Sequence, residues 1–248
     1  MNKDKWIPFM IPLLVLIIWY TATELAWVDT KLFPSPVAVL TAFFKLTLSG
    51  ELLAHTWASS QRALTGLVIG VAIGMFFGLL NGLYPIAEKL LDSTLQMIRN
   101  IPHLALIPVV IIWFGIGEEG KIFLVVVGVF FPVYVNAFYG IRSIDKGLIE
   151  MAKVYGLKGW TLFKKVVLPG ALPATLVGVR QSLGIMWLTL IVSETVAVDS
   201  GIGYMAMNAR DFMQMDVIIL SIMIYAALGK LSDLIAKAFE KRLLRWRA

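Results

Sequence analysis

The length of its apolar runs limits this chain more than any other feature. Six stretches, residues 7–27, 64–84, 90–114, 122–141, 172–198 and 217–235, are predominantly apolar and run to about 20 residues each. As helix, that is the length needed to cross a hydrocarbon core ~30 Å thick. Of 248 residues, 59% are hydrophobic and only 15% charged, too few polar groups to keep a water-facing surface in solution. The expected fold is an all-α integral membrane protein of six transmembrane helices, a single domain over residues 1–248 with a core at about 57–238.

Charge orients the bundle. With the N-terminus on the cytoplasmic side, fourteen lysines and arginines flank the runs inside, among them Lys89, Arg142, Lys146, Lys164, Lys165 and Lys241. Four (Lys31, Lys45, Lys121 and Arg210) flank them outside. Both termini are therefore expected in the cytoplasm, in a bacterial inner membrane. Lys3 and Lys5 ahead of an apolar stretch also resemble a secretory leader, but the stretch is long and lacks a small-residue cleavage site, so it reads as an uncleaved span. A net charge of +6 set beside apolar runs suits an anionic membrane surface better than nucleic acid. The basic tail 237–247, with Leu243, Leu244 and Trp246 interleaved, reads as an interfacial helix, and so does 37–48 on the outer side.

Several function classes fall away. The chain has no cysteine and two histidines far apart, His55 and His103, so no thiolate or paired-histidine metal site is expected. Gly115-Ile116-Gly117-Glu118-Glu119-Gly120-Lys121 nearly spells a phosphate-binding loop. Ile122 stands where Ser or Thr is needed, and two glutamates would repel phosphates; the segment reads as a turn between spans. No paired carboxylates or nucleophile elbow suggest an enzyme. An ion-coupled transporter working alone would need ion ligands at midplane.

Within the spans, Gly66, Gly70, Gly74, Gly78 and Gly82 recur every four residues, a pattern that lets a second helix approach closely; packing within one chain is favoured over a dimer seam. Asp92, Gln96, Arg99, Asn100 and His103, followed by Pro102 and Pro108, place the third run in the bundle interior. Arg99, His103, Asn136 and Arg180 are candidates for lining a translocation path. Arg99 and Arg180 have the alternative of pairing with Asp92, and Asn136 that of packing between helices. Arg62 is expected to pair with Glu194. The segment 199–216 is read as an outer loop, with Gly201, Gly203, Tyr204 and Phe212 as candidates for an outer gate.

The longest cytoplasmic loop, residues 142–170, carries the most specific signal. It reads Glu150-Met151-Ala152-Lys153-Val154-Tyr155-Gly156, nine residues, then Val166-Val167-Leu168-Pro169. Asp145 is placed to cap a short helix and Gly156 to end it with a positive φ. A second helix over 159–167 is expected, and then Pro169 and Pro173 turn the chain into the fifth span. The product is a knob that can sit in a cleft of a soluble partner.

This pattern resembles the signature of binding-protein-dependent ABC importer permeases: Glu-Ala-Ala, three residues, Gly, nine residues, Ile-x-Leu-Pro. Met151 replaces an Ala and Val166 the Ile. Arg99-Asn100-Ile101-Pro102-His103-Leu104, Leu168-Pro169-Gly170-Ala171-Leu172-Pro173 and Ser200-Gly201-Ile202-Gly203-Tyr204 resemble the branch importing sulfonates, taurine and nitrate, and most of all its aliphatic-sulfonate permeases. The resemblance implies the six-span fold of the smaller importers. It implies a homodimeric pore, two ATPase subunits below it, and a periplasmic or lipid-anchored solute-binding protein that delivers the solute. The chain itself would bind no cofactor; ATP and Mg would be used by the ATPase. Glu150, Met151, Ala152 and Gly156 would shape the docking knob, and Leu168 and Pro169 its exit. The solute would be an aliphatic sulfonate, with taurine, nitrate or bicarbonate as alternatives.

Overall fold

The computed structural model describes residues 7–196 and 199–247. Lys3, Lys5 and the side chains of His103 and Arg247 lie outside the described residues. Every regular element among those described is helical: α1 Ile7–Glu24, α2 Pro36–Leu48, α3 Glu51–Leu83, α4 Pro85–Arg99, α5 Ile107–Phe114, α6 Glu118–Arg142, α7 Lys146–Val154, α8 Gly159–Leu162, α9 Leu168–Glu194, α10 Ile202–Asp211 and α11 Met215–Leu243. Three of these, α3, α6 and α11, and the continuous stretch Gly159–Glu194 are each long and apolar enough to cross a membrane; α4 and α5 reach that length and hydropathy only when taken together as one bent pair. α1 has 18 residues, about 27 Å of helix.

Two compact units divide the chain, residues 1–59 with 198–226 and residues 60–197 with 227–248. In the first, α2 forms where the apolar spacing predicts it. Ser35 Oγ accepts from the Ala38 amide and Pro36 occupies the first turn, a start signal with both donors accounted for. Its buried residues Val39 and Ala42 pack with Leu220 of α11, while Leu40 and Phe44 stay exposed. Trp19 of α1 donates from Nε1 to the Pro34 carbonyl at 3.0 Å, which ties the first helix to the turn ahead of α2.

In the second unit α6 is the centre. Val125, Val129 and Val133 are fully buried, and Tyr134 and Ala137 nearly so. The glycine row of α3 lies on one side of α6: Gly66 opposes Val125, Gly70 Val129, Gly74 Val133, Gly78 Ala137 and Gly82 Ile141. Both rows advance by four, so ridge meets groove along the whole contact. Gly178 of α9 approaches α6 from another side, where an added Cβ would stand 2.8 Å from the Pro132 carbonyl. The glycines thus serve packing within the chain, as expected.

Four expectations are corrected. The third run is not one continuous helix: α4 ends at Arg99, a short 3-10 turn spans His103–Leu106, and α5 follows with an 85° bend between the two helices. Pro102 has no N–H to continue the helix and holds Ile101 out of the helical region. α3 begins thirteen residues before the expected start because nothing from Glu51 onward breaks it. The tail is no separate interfacial helix, since α11 runs unbroken to Leu243. Last, Pro169 and Pro173 do not turn the chain. The helix from Gly159 continues into α9 through one wide π-turn at Phe163–Val167, closed by the Leu168 amide on the Phe163 carbonyl. Widening the turn just before Pro169 absorbs the missing donor and the ring's clash with the preceding turn.

Candidate functional site

Three polar assemblies and one protruding knob stand out from the helices. The knob is α7 with the turn that follows it. Asp145 Oδ1 accepts from the Gly147 amide at 2.7 Å, capping α7 as its position predicts. Gly156 has φ +82°, and the Gly156 and Leu157 amides bond back to the Lys153 and Ala152 carbonyls, so the helix stops where the glycine is. Ala152 is buried. It faces inward while Glu150, Met151, Val154 and Tyr155 are exposed, Val154 at 86% and Tyr155 at 79%. The knob's root is anchored by Ile141, Ile144, Val167 and Ala171, with Ile149 and Phe163 packed on them. A solvent-facing apolar strip on a firmly rooted helix has the character of a docking surface. Leu168 and Pro169 open α9, which continues from α8 without a break.

Arg62, well inside α3, organises the first polar assembly with the start of α6 and the end of α9. Its Nε and Nη2 both reach Glu118, Nη2 at 2.7 Å from Oε1, and its Nη1 donates to Glu194 Oε1 at 2.7 Å. Lys121 Nζ lies 3.1 Å from Glu118 Oε1. The expected Arg62–Glu194 pair is present, and Glu194 is 1% exposed. The other partner of Arg62, Glu118, comes from the segment that imitates a phosphate-binding loop. That segment is a turn with Gly115 at φ +70°, followed by the first turn of α6.

Tyr134 joins the second assembly. Its hydroxyl accepts from Asn81 Nδ2 at 2.9 Å and donates to Asp92 Oδ1 at 2.7 Å, linking α3, α6 and α4. Asp92 therefore pairs with neither Arg99 nor Arg180, contrary to the alternative that its charge suggested. Arg142 completes the attachment of α4 through an ion pair with Glu88. Tyr134→Phe is expected to lower stability by about 1–3 kcal/mol, the cost of stranding the buried Asn81 amide and an Asp92 lone pair, and to raise hydrogen exchange in residues 85–99. Unchanged exchange there would show that Tyr134 does not hold α4.

The third assembly gathers Arg99 and Asn136 beside a cavity of about 260 Å³. Asn136 Nδ2 donates to the Pro132 carbonyl at 2.8 Å and to Gln181 Oε1 at 3.2 Å. Gln181 was not singled out from the sequence; its amide next to Arg180, halfway along a mostly apolar helix, was the available signal. Arg180 stands apart. Its Nε donates to Asp233 Oδ1 at 2.7 Å and its Nη1 lies 3.7 Å from Glu240, so two carboxylates of α11 occupy its fork. Asp233, inside the sixth run, was the unread partner.

The segment 199–216, expected as a loop, is mostly the helix α10. The Gly201 amide donates to His55 Nδ1 at 3.1 Å and the Ile202 amide to Ser59 Oγ at 2.8 Å, so side chains of α3 cap its start. Gly201 has φ +114°, Ile202 and Gly203 are buried, and Tyr204 lies 5.6 Å from the His55 ring. Phe212 is 69% exposed beyond the helix end.

Residues 70–245 match the family described as the binding-protein-dependent transport system inner membrane component. The chain belongs to that family. It is a permease component of a transport system rather than an enzyme. A protein of Escherichia coli (strain K12) named as an aliphatic sulfonates transport permease, SsuC, is 53% identical over 98% of this chain and 94% of its own length. One with the same name from Bacillus subtilis (strain 168) is 43% identical over 96% of this chain and 86% of its own. Among solved structures, a chain of an amino acid ABC transporter superimposes with a TM-score of 0.64 at 18% identity, covering 82% of this chain and 96% of that one. The fold is thus that of an ABC importer permease. The matched region takes in the knob, the Arg62-facing ends of α6 and α9, and the cavity beside Arg99.

Proposed function

We propose that this chain, as a homodimer, forms the pore through which an aliphatic sulfonate enters the cytoplasm, driven by two ATPase subunits that consume ATP and Mg and supplied by an external solute-binding protein. The 53% identity to an SsuC protein over nearly the full length of both chains carries the choice of solute. Both termini and the knob lie on the cytoplasmic side in this reading, as the lysine and arginine asymmetry favours.

The knob's exposed Met151, Val154 and Tyr155, with Glu150 beside them, fit an ATPase cleft, and buried Ala152 with Gly156 keeps their shape. Because Gly159–Glu194 is one helix, a push on its lower end is carried up α9 with little lost in bending. Leu168 and Pro169 then act as a stiff joint. Gly201, Gly203, Tyr204 and Phe212 take the side facing the solute-binding protein and serve as the outer gate. Domain limits of 1–248, with 142–170 as the coupling segment, go with this reading.

Met151→Asp tests it. Met151 is half exposed, so the change spares the fold while placing a charge in the docking strip. The ATPase should bind about 30-fold more weakly, the loss of one interface anchor worth ~2 kcal/mol, and ATP-dependent uptake of ethanesulfonate into vesicles should fall in step at equal membrane levels of the chain. Undiminished ATPase binding and uptake would remove the knob from the coupling role.

A further inference from the structure

The cavity beside Arg99 has a chemistry of its own. α6 and α9 each bring a polar and an apolar group to its lining. Arg99, at the end of α4, forms no ion pair among the described residues, unlike Arg62, Arg142 and Arg180. Gln181 of α9 spends its carbonyl oxygen on Asn136, so its amide hydrogens remain to be donated. Asn136 is itself held by the Pro132 carbonyl. No carboxylate lines the space. Phe131 and Val135 of α6 and Ile185 of α9 complete the lining.

Depth sharpens the point. Asn136 lies six residues from the end of α6 at Arg142, about 9 Å along the axis, and Gln181 lies midway along α9. Polar groups at such depth are tolerated against protein or a water-filled cavity, not against acyl chains. A guanidinium with no ion pair among the described residues and an amide with hydrogens left to donate therefore stand together on an open groove.

Resting on the function proposed above, we infer that this groove is a binding station within the pore for an organic anion bearing a short alkyl chain, and that it selects by chain length. Arg99 and the Gln181 amide donate to the anionic head. Phe131, Val135 and Ile185 receive the chain. Asn136 is a positioning residue that turns the Gln181 amide by holding its oxygen. At about 260 Å³ the space is below the usual range for drug-sized ligands, so the ligand is small. A bare inorganic anion leaves Phe131, Val135 and Ile185 unused, and an alkylammonium group finds no carboxylate to meet it.

The experiment uses the complete importer, with ATPase and solute-binding protein, in proteoliposomes at equal permease content. Initial uptake is measured for ethanesulfonate, hexanesulfonate and nitrate. Gln181→Leu and Arg99→Ala are expected to slow both sulfonates about tenfold or more, with partial recovery in Arg99→Lys because a point charge replaces a planar fork. Ile185→Ala should raise the rate of hexanesulfonate relative to ethanesulfonate by about tenfold, and Ile185→Phe should lower it, since one methylene in an apolar pocket is worth ~10-fold or more. Asn136→Leu should resemble Gln181→Leu, whereas Asn136→Asp, whose carboxylate cannot donate to Gln181, should not restore the rate. If Arg99→Ala does not accumulate, the Gln181 and Ile185 variants decide. Wild-type sulfonate uptake with an unchanged rate in Gln181→Leu and an unchanged chain-length ratio in the Ile185 variants overturns the station and leaves the proposed function standing. Absence of wild-type uptake of both sulfonates overturns the proposed function, and the station with it.

Discussion

Replacing Arg62 by methionine is expected to destabilise the chain by about 3–5 kcal/mol, because it takes the guanidinium away from the buried Glu194 carboxylate. The side chain of Glu194 has no exposed surface and that of Arg62 only 5%, so water cannot take over. One guanidinium serves two carboxylates here, Nε and Nη2 reaching Glu118 and Nη1 reaching Glu194. Lysine has a single donor centre and cannot span both, so Arg62→Lys should fall between wild type and Arg62→Met. The double variant Arg62→Met with Glu194→Gln removes both buried charges and should recover most of the loss, since an ion pair exchanged for neutral groups is often close to neutral in stability. Thermal unfolding midpoints in detergent, with membrane accumulation, provide the readout. A double variant no more stable than Arg62→Met would mean that the buried charge of Glu194 is not what Arg62 neutralises.

How much of this was legible in the sequence depends on whether the signal was local. Caps and stops were. Asp145 and Gly156 act within a few residues of themselves, and both sit where their chemistry predicts. The four-residue glycine period was legible too, because the period is a property of α3 alone. Helix lengths were not. Hydropathy marks where a chain can face lipid, whereas a helix ends only at a breaker, so α3 and α11 extend past their apolar cores into polar turns. The fate of the prolines depended on backbone outside their own neighbourhood. Pro102 breaks the helix, with no compensating turn before it, whereas Pro169 does not, because five residues upstream widen to receive it. Of the ionisable residues, Arg62 and Glu194 could be paired from their shared end of the bundle. Asp92 and Arg180 could not, since their partners Tyr134 and Asp233 sit in runs whose rotation about their axes is set by packing against other helices. Gln181 gains its meaning only through Asn136, 45 residues away.

Gly70 carries the second large effect. A Cβ there would stand 2.8 Å from Val129 Cβ and 2.9 Å from the Val126 carbonyl oxygen, both well inside van der Waals contact. Side chains can swing aside; a carbonyl in the middle of α6 cannot without breaking its helix bond. Gly70→Leu must therefore drive α3 off α6. The neighbours at Gly66, Gly74 and Gly78 are packed to similar distances on the same row, so the separation costs contacts along the whole length rather than at one point. The expected loss is at or above the ~3 kcal/mol upper end for overpacking in well-packed interiors, enough to remove most folded chain from the membrane. Gly70→Ala should already do much of this. Adding Val129→Ala should not rescue it, because the Val129 Cβ and the Val126 carbonyl remain. Gly184 of α9 supplies the contrast, since nothing stands within 4 Å of its added Cβ. Gly184→Ala should be neutral, or stabilising by up to about 1 kcal/mol from helix propensity. Equal unfolding midpoints for Gly70→Ala and Gly184→Ala would show that α3 and α6 do not lie in backbone contact, and the arrangement that aims Tyr134 at Asp92 and Arg62 at Glu194 would lose its support.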